Sequence, residues 1–137
     1  MLLTTLAADI GPGDQTFTFV VPGDKLWRIR SVIATCARAS GGAPDRSYTL
    51  VVSTSTGPVS AVGATDAGDE PGDCTITFTN CPPSAVASGN IGVSVAPFNP
   101  PTLYPGYTIV GTIVNPAGAD EWTSATVWYD FTLTTTP

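Results

Sequence analysis

Apolar and polar residues alternate with a period of two along most of this 137-residue chain. The clearest stretch is CTITFTN (74–80), in which Ile76 and Phe78 are separated by threonines. Because successive side chains of a β-strand point to opposite faces, such alternation predicts strands with one buried face. No stretch of ten residues has helical spacing, and the many prolines and β-branched residues also disfavour helix. The pattern therefore predicts an all-β protein.

About eight alternating segments follow one another, each bounded by Pro, Gly, Asn or Asp. The side chains expected to face a core recur at even spacing within each segment: Phe17, Phe19, Val21, Trp27, Ile29, Ile33, Tyr48, Leu50, Val52, Ile76, Phe78, Ile91, Val93, Val95, Tyr107, Ile109 and Ile113. Two sheets can each bury one alternating face, so we expect a single antiparallel β-sandwich of jelly-roll type spanning residues 1–137. Residues 1–12 are expected to form an extended N-terminal arm.

The last predicted strand, WTSATVWYDFTL (122–133), carries apolar residues on both faces. Trp122 and Trp128 are an even number of positions apart and are expected to share one face, with Val127, Tyr129 and Phe131 on the other. A strand of this kind is expected in the centre of a sheet, or at an edge that a partner subunit covers.

The composition adds information about possible partners. Only 12% of the residues are charged, about half the usual share of ~25%, which suggests that part of the surface is covered by other molecules. The net charge is −6 with five basic residues, so the chain cannot present the broad basic face that nucleic acid requires. No apolar run approaches the ~18 residues of a membrane span, and the start of the chain lacks a basic segment typical of a signal peptide. We therefore expect a soluble protein with neither nucleic acid nor membrane as a partner.

Three cysteines leave at least one thiol unpaired. Cys74 and Cys81 bound one predicted strand, and seven steps of ~3.3 Å place them about 23 Å apart, beyond disulfide reach. Cys36 could pair with either if neighbouring strands bring them together. Three reduced thiols acting as small apolar side chains are the favoured interpretation, in keeping with folding in a cytoplasm.

Catalytic chemistry has little support in the sequence. The chain contains no histidine, which excludes the Ser-His-Asp and Cys-His forms of nucleophilic catalysis and removes the commonest zinc ligand. It also lacks a Cys-x-x-Cys zinc motif and a Gly-rich phosphate loop. The carboxylates that could act on a sugar, including Asp120 and Glu121, fall in loops where such groups are normally solvated. We expect a protein that is not an enzyme and that uses no cofactor.

The acidic segment DAGDEPGD (66–73) raises calcium binding as an alternative. Its four carboxylates, Asp66, Asp69, Glu70 and Asp73, are the hard oxygen ligands that calcium prefers. The spacing lacks the regularity of a dedicated calcium loop, however. A solvated turn that keeps the protein soluble is the favoured interpretation.

The tyrosines and tryptophans raise the further alternative of a sugar-stacking platform: Trp27, Tyr48, Tyr104, Tyr107, Trp122, Trp128 and Tyr129. Most of them occupy strand positions from which alternation directs them into a core or an interface. In TLYPGYTIVG (102–111), the Pro-Gly pair is expected to form a turn that starts a strand, with Tyr104 and Tyr107 packing around it. We therefore favour packing over sugar binding.

Three segments resemble the small β-sandwich virion proteins of tailed bacteriophages: FVVPGDKLWRIRSVIAT (19–35), DRSYTLVVSTSTG (45–57) and LYPGYTIVGTIVNPAGADEW (103–122). Between the second and third segments, CTITFTNCPPSAVASGN (74–90) departs from that pattern. The resemblance implies a structural protein that decorates or cements the outer surface of the phage head, commonly as a trimer. Neck, tail or fibre-base proteins of the virion are the alternative within this class, and a carbohydrate- or cell-surface-binding module is the alternative outside it.

The expected partner is the major capsid protein or another virion protein, and the expected location is the capsid surface, after folding in the host cytoplasm. We expect the N-terminal arm to provide one contact, through Met1, Leu2, Leu3, Leu6 and Ile10. A basic group, Lys25, Arg28 and Arg30, could meet an acidic capsid surface, and its alternative is a solvated strand face.

Overall fold

The computed structural model describes residues 3–38, 46–65, 72–80, 93–116 and 118–134. These residues form nine strands and no helix. In chain order the strands are β1 (Leu3–Ala7), β2 (Thr16–Val20), β3 (Lys25–Arg38), β4 (Ser47–Thr54), β5 (Gly57–Thr65), β6 (Gly72–Thr79), β7 (Val93–Pro97), β8 (Thr108–Val114) and β9 (Glu121–Leu133).

The strands form two sheets, with the order β1-β9-β3-β6-β7 in one and β2-β8-β4-β5 in the other. If β7 is left aside, each sheet has four strands and the chain passes repeatedly between the sheets, which is the jelly-roll arrangement. The predicted all-β sandwich is therefore confirmed.

Two details of the strand arrangement differ from the prediction. There are nine described strands rather than about eight, and β7, which lies in the predicted segment around Val93 and Val95, pairs with β6 in parallel rather than antiparallel. A period-two pattern is the same for both strand directions, so the sequence could not show that β7 runs parallel to its neighbour.

The predicted alternation places the core correctly in most strands. Phe17, Phe19 and Val21, the face Tyr48, Leu50 and Val52, and the pair Ile76 and Phe78 are all buried between the sheets. Ile109 and Ile113 are buried in β8, and Tyr107 packs against the same core. The predicted face containing Ile91, Val93 and Val95 lies outside the residues and side chains that the structure describes.

A bulge in β3 changes which of its residues face the core. Ile29 pairs with Tyr129 and Ser31 pairs with Trp128, so Arg30 is an extra residue without a partner on β9. An extra residue reverses the alternation that follows it. Trp27 and Ile29 therefore face the core before the bulge, whereas Val32, Ala34 and Cys36 face it afterwards. The prediction that Ile33 shares a face with Trp27 and Ile29 is wrong for this reason.

A second bulge, in β9, separates the two tryptophans that were expected on one face. Thr35 pairs with Ser124 and Cys36 pairs with Trp122, which leaves Thr123 as the extra residue. As a result Trp122 is 1% exposed and faces the core together with Val127 and Tyr129, while Trp128 is 37% exposed on the opposite side. The prediction that Trp122 and Trp128 share a face is wrong, because it assumed unbroken alternation.

The N-terminal segment is part of the sandwich over its described length. Strand β1 pairs antiparallel with β9, from Leu3 opposite Asp130 to Ala7 opposite Thr126. The backbone N–H of Ala8 continues the pairing by donating to the carbonyl of Ala125 at 2.8 Å. Residues 3–8 thus form a docked sheet edge rather than the expected arm that leaves the domain, since their backbone groups find partners along β9.

A buried ion pair joins the two sheets at one end. Arg46, just before β4, donates from Nε to Oδ2 of Asp120 at 2.6 Å and from Nη2 to Oδ1 at 3.2 Å, and both side chains are fully buried. Asp120 directly precedes β9 in the other sheet. Buried charges are tolerated only when they are paired and hydrogen-bonded, so this two-bond arrangement fixes the beginning of β4 against the beginning of β9.

Two cysteines lie opposite each other in the five-stranded sheet. Cys36 of β3 is the register partner of Cys74 of β6, and both are buried free thiols. This agrees with the favoured interpretation of cysteines as small apolar side chains for these two residues. Cys81 lies outside the described residues.

The Cys36 thiol generates a prediction at high pH. Desolvation by burial raises its pKa from 9.0 to about 11, against the opposing effect of a hydrogen bond with Tyr48. Between pH ~9 and ~11 the unfolded chain has released this proton while the folded chain holds it, so the free energy of unfolding falls as the pH rises, by about 2–3 kcal/mol. Below pH ~9 the thiol is protonated in both states and contributes no pH dependence.

Urea denaturation at several pH values checks this in the wild type and in Cys36→Ala. The loss of stability with rising pH is expected to be smaller in the variant, whatever its absolute stability. The Tyr129 phenol, whose pKa is also raised by burial, is present in both proteins and cancels in the comparison. Identical pH slopes would contradict the prediction.

The close approach of Phe17 to β8 generates a second prediction. Gly111 lies between Phe17 of β2 and Leu50 of β4, and a Cβ at this position would overlap the Phe17 ring. Gly111→Ala is therefore expected to lower the free energy of unfolding by about 1–3 kcal/mol in urea denaturation. Gly63→Ala in β5 is the matched control, because the atom nearest to its new Cβ is the Tyr48 carbonyl oxygen at 3.8 Å. Equal losses in the two variants would argue against this packing.

Candidate functional site

The outer face of the five-stranded sheet, the side turned away from the core, brings together side chains from β1, β9 and β3. In one row Asp130 lies between Leu3 and Arg28, and in the next row Trp128 lies between Thr5 and Ser31. Side chains directly opposite each other in an antiparallel pair share a face and lie about 4.5–5.5 Å apart at Cβ. The sheet therefore presents these residues as one continuous surface.

Trp128 is the centre of the apolar part of the outer face. Its side chain is 37% exposed, and that of Leu3, its diagonal neighbour on β1, is 54% exposed. Ile33, one row further along β3, is half-buried on the same side. Large exposed apolar side chains are uncommon on a free surface when they lie together, and tryptophan is enriched at the energetic centres of protein interfaces.

Small hydroxyl side chains surround this apolar centre. They are supplied by four neighbouring strands and include Thr5, Ser31, Thr35, Thr75, Thr77, Ser124 and Thr126. Hydroxyl groups cost less to remove from water than charges do, and they can donate or accept hydrogen bonds. A surface of this composition can form both apolar contacts and hydrogen bonds with another molecule.

The structure separates the N-terminal residues that were expected to form one contact. Leu3 lies on the outer face, whereas Leu6 lies opposite Val127 and so points to the other side of β1, where it is exposed at the sheet edge. Ile10 packs against the core. Met1 and Leu2 lie outside the described residues. Of the described members of this group, Leu3 is the one that lies on the outer face.

The three expected basic contact residues differ in their exposure. Lys25, at the beginning of β3, is half-buried with its Nζ 4.8 Å from the centre of the Phe131 ring, a cation–π contact. Arg28 and Arg30 are exposed. Arg28 and Arg30 alternate with the core-facing Trp27 and Ile29 and therefore share the outer side of β3.

A cleft of about 250 Å³ lies beside these two arginines. Its walls come from three places in the chain: Arg28, Ile29, Arg30, Asn80, Asn99, Pro100 and Thr102. It opens where β6 stops pairing with β3. Asn80 still donates its backbone N–H to the Arg30 carbonyl at 3.2 Å, and three residues further along the edge Trp27 pairs with Leu103 instead. We call this the Arg28 cleft.

Sequence reasoning missed Asn80, Asn99 and Thr102 as parts of a site. They carry no motif, and only the pairing of β3 with β6 and, further along the same edge, with Leu103 brings them beside the arginines. The only local signal is the density of prolines around Pro97–Pro101, which disfavours a central strand there but does not point to a site.

The carboxylates of the described residues are largely engaged in structural contacts. Asp120 pairs with Arg46, and Asp130 pairs with Arg30. Glu121 accepts a hydrogen bond from the Gly13 backbone at 2.5 Å. Among the residues described, no three metal-ligating side chains lie together. Of the four carboxylates that suggested calcium binding, Asp73 is exposed at the start of β6. The other three, Asp66, Asp69 and Glu70, lie outside the described residues.

Most of the aromatic residues that suggested a sugar platform lie in the core. Trp27 stacks on Tyr129 with ring centres 4.0 Å apart, and Tyr48 lies 5.5 Å from Trp122. These four side chains are buried, as the packing interpretation predicts.

The Pro-Gly turn of TLYPGYTIVG also takes the expected form. Gly106 has φ +85° and the Tyr107 backbone N–H donates to the Tyr104 carbonyl at 3.1 Å, as in a type II turn. The rings of Tyr104 and Tyr107 lie 5.7 Å apart beside it, with Tyr104 exposed. The turn and the two rings beside it therefore position the start of β8.

No protein-family model matches the chain, and the comparisons with curated proteins and with solved structures found no match either. Within the part of the chain that the structure describes, no helix has the length and apolar character that crossing a membrane requires. The structure thus shows a jelly-roll sandwich whose outer face is largely uncharged around the exposed Trp128.

The two tryptophans of β9 provide a direct test of this surface. Trp122→Ala is expected to cost about 3–5 kcal/mol of stability, because it leaves a cavity in the core. Trp128→Ala is expected to cost about 1 kcal/mol or less, as is usual for a surface substitution. Urea denaturation compares them, and similar losses would mean that the two side chains have the same environment, as unbroken alternation would require.

Proposed function

We propose that the protein is a non-enzymatic virion structural protein, a decoration or cement protein that binds the outer surface of a phage head and stabilises it. The observation that carries the proposal is the outer face itself, where Trp128 and Leu3 are exposed among uncharged hydroxyl side chains. The resemblance of residues 19–35, 45–57 and 103–122 to small virion proteins of tailed phages supports the same class.

The surface offers two modes of attachment. Trp128 and Leu3 can be buried in an apolar depression of the partner, with the surrounding hydroxyls excluding water at the rim. Among the described strands β1 is the last on its side of the sheet, so its outer edge can pair with a different strand edge of a neighbouring copy. Head-to-tail pairing of this kind can close a ring such as the trimer that the resemblance commonly implies, whereas pairing of β1 with β1 would give a two-fold dimer.

The proposed stabilisation is a mass-action effect. A protein that binds the assembled shell but not its free subunits stabilises the shell by the binding free energy, summed over many equivalent sites. No catalytic group is needed for this role. The major capsid protein is the proposed partner, and the capsid surface is the proposed location.

Two alternatives remain as second candidates. A neck, tail or fibre-base position would use the same outer face against a different virion protein. A carbohydrate- or cell-surface-binding module is favoured by one observation, the exposed Tyr104 ring beside Tyr107, since exposed aromatic rings stack on sugars.

The test uses heads purified from the phage that encodes the chain, after deletion of its gene. Wild-type protein is expected to bind the heads saturably, at a fixed copy number measured by quantitative mass spectrometry. Trp128→Ser is expected to weaken binding at least about tenfold, because the loss of a central aromatic anchor typically costs 2 kcal/mol or more.

Tyr104→Ser is the matched control, because it removes an exposed aromatic residue that lies outside the outer face. Head binding that depends on Trp128 but not on Tyr104 supports the proposal. Absence of head binding, together with Tyr104-dependent binding to a glycan array or to host cell wall, would reject it in favour of the carbohydrate-binding module.

A further inference from the structure

We infer that the Arg28 cleft is a carboxylate-binding site, and that its ligand is an aspartate or glutamate side chain on an acidic segment of a partner protein. The inference rests on the charges and donors of the cleft and holds wherever the protein acts. It is therefore separate from the proposed role on a phage head.

The first step is the charge balance of the cleft. Arg30 is already engaged, with Nη2 at 2.5 Å and Nε at 2.8 Å from Oδ2 of the buried Asp130. Arg28 is exposed and makes no ion pair or hydrogen bond with the described residues. The Arg30–Asp130 pair is neutral overall, so among the described residues the cleft retains one uncompensated positive charge, on Arg28.

The second step is the arrangement of donors. The guanidinium of Arg28 presents a planar set of N–H groups that matches the two oxygens of a carboxylate. Asn80, Asn99 and Thr102 line the same cleft and add amide and hydroxyl donors without adding charge. Together these groups offer a bound carboxylate both a counter-charge and further hydrogen bonds.

The third step concerns the charge of the ligand. A single free arginine balances a singly charged carboxylate, whereas phosphate near neutral pH carries up to two charges. The chain as a whole has a net charge of −6, which disfavours a polyanion such as nucleic acid. The cleft therefore favours isolated carboxylates over phosphate.

The fourth step concerns size and affinity. A cleft of about 250 Å³ is below the range of roughly 300–1,000 Å³ typical of small-molecule sites, and it suits one side chain. A single exposed ion pair binds weakly by itself, so a useful site must be part of a larger contact. The outer face around Trp128 can provide the larger contact, because Arg28 and Trp128 lie in adjacent rows of that face. One partner segment can thus place an apolar group on Trp128 and a carboxylate in the cleft.

The experiment uses the full, isotope-labelled chain and two-dimensional NMR. The probe is an acetylated and amidated pentaglutamate peptide, with the neutral pentaglutamine peptide and inorganic phosphate as comparison ligands. We expect pentaglutamate to shift the signals of Arg28, Asn80, Asn99 and Thr102 in a saturable manner. Arg28→Gln is expected to weaken this binding by about two- to fivefold, the effect of losing an exposed ion pair.

Lys25→Gln is the matched control, because it makes the same change in net charge outside the cleft, and it is expected to leave the affinity nearly unchanged. Asn99→Ala removes a neutral donor and is expected to weaken binding by a smaller factor than Arg28→Gln. The spectra also report directly whether each variant is folded.

Three outcomes would overturn the inference: equal shifts with pentaglutamine, binding of phosphate without binding of pentaglutamate, or equal weakening by Lys25→Gln and Arg28→Gln. None of them bears on head binding through Trp128, which is measured with a different ligand and a different variant.

Discussion

The antiparallel pairing of β3 with β9 is the interaction on which the rest of this structure depends. Both strands are long and lie next to each other inside the five-stranded sheet, with β1 on one side and β6 on the other. Each contains one bulge, at Arg30 and at Thr123, and each bulge reverses the alternation of the strand that carries it. These two extra residues direct Trp122 into the core and leave Trp128 and Arg28 on the outer face.

The two ends of the sandwich differ in the residues that lie beside β3 and β9. At one end the buried Arg46–Asp120 pair connects the beginning of β4 in one sheet to the beginning of β9 in the other. At the other end β6 ends at Thr79, short of the beginning of β3, and the chain before β8 only partly replaces it. The first end therefore contains an ion pair between the two sheets, and the second end contains the Arg28 cleft.

The outer face and the cleft are suited to recognition because they combine complementary features in adjacent rows. Trp128 supplies apolar area that is costly to leave in water, which provides affinity. Arg28 supplies a charge that requires a matching carboxylate, which provides orientation and selectivity more than affinity. The low charge of the chain fits this arrangement, since few charged groups must lose their water when the face is covered.

The sequence by itself determined the all-β class, the position of most strands and the buried faces containing Phe17, Tyr48 and Ile76, because alternation is a local property of each strand. It also predicted the turn at Gly106, where a positive φ favours glycine. Only the tertiary structure decided which face of β9 each of Trp122 and Trp128 occupies, where β1 pairs and that β7 runs parallel to β6. It also decided that Arg28 lines one cleft together with Asn80, Asn99 and Thr102. These features depend on which strands pair and in what register, and pairing is fixed by backbone hydrogen bonds between residues that are distant in sequence.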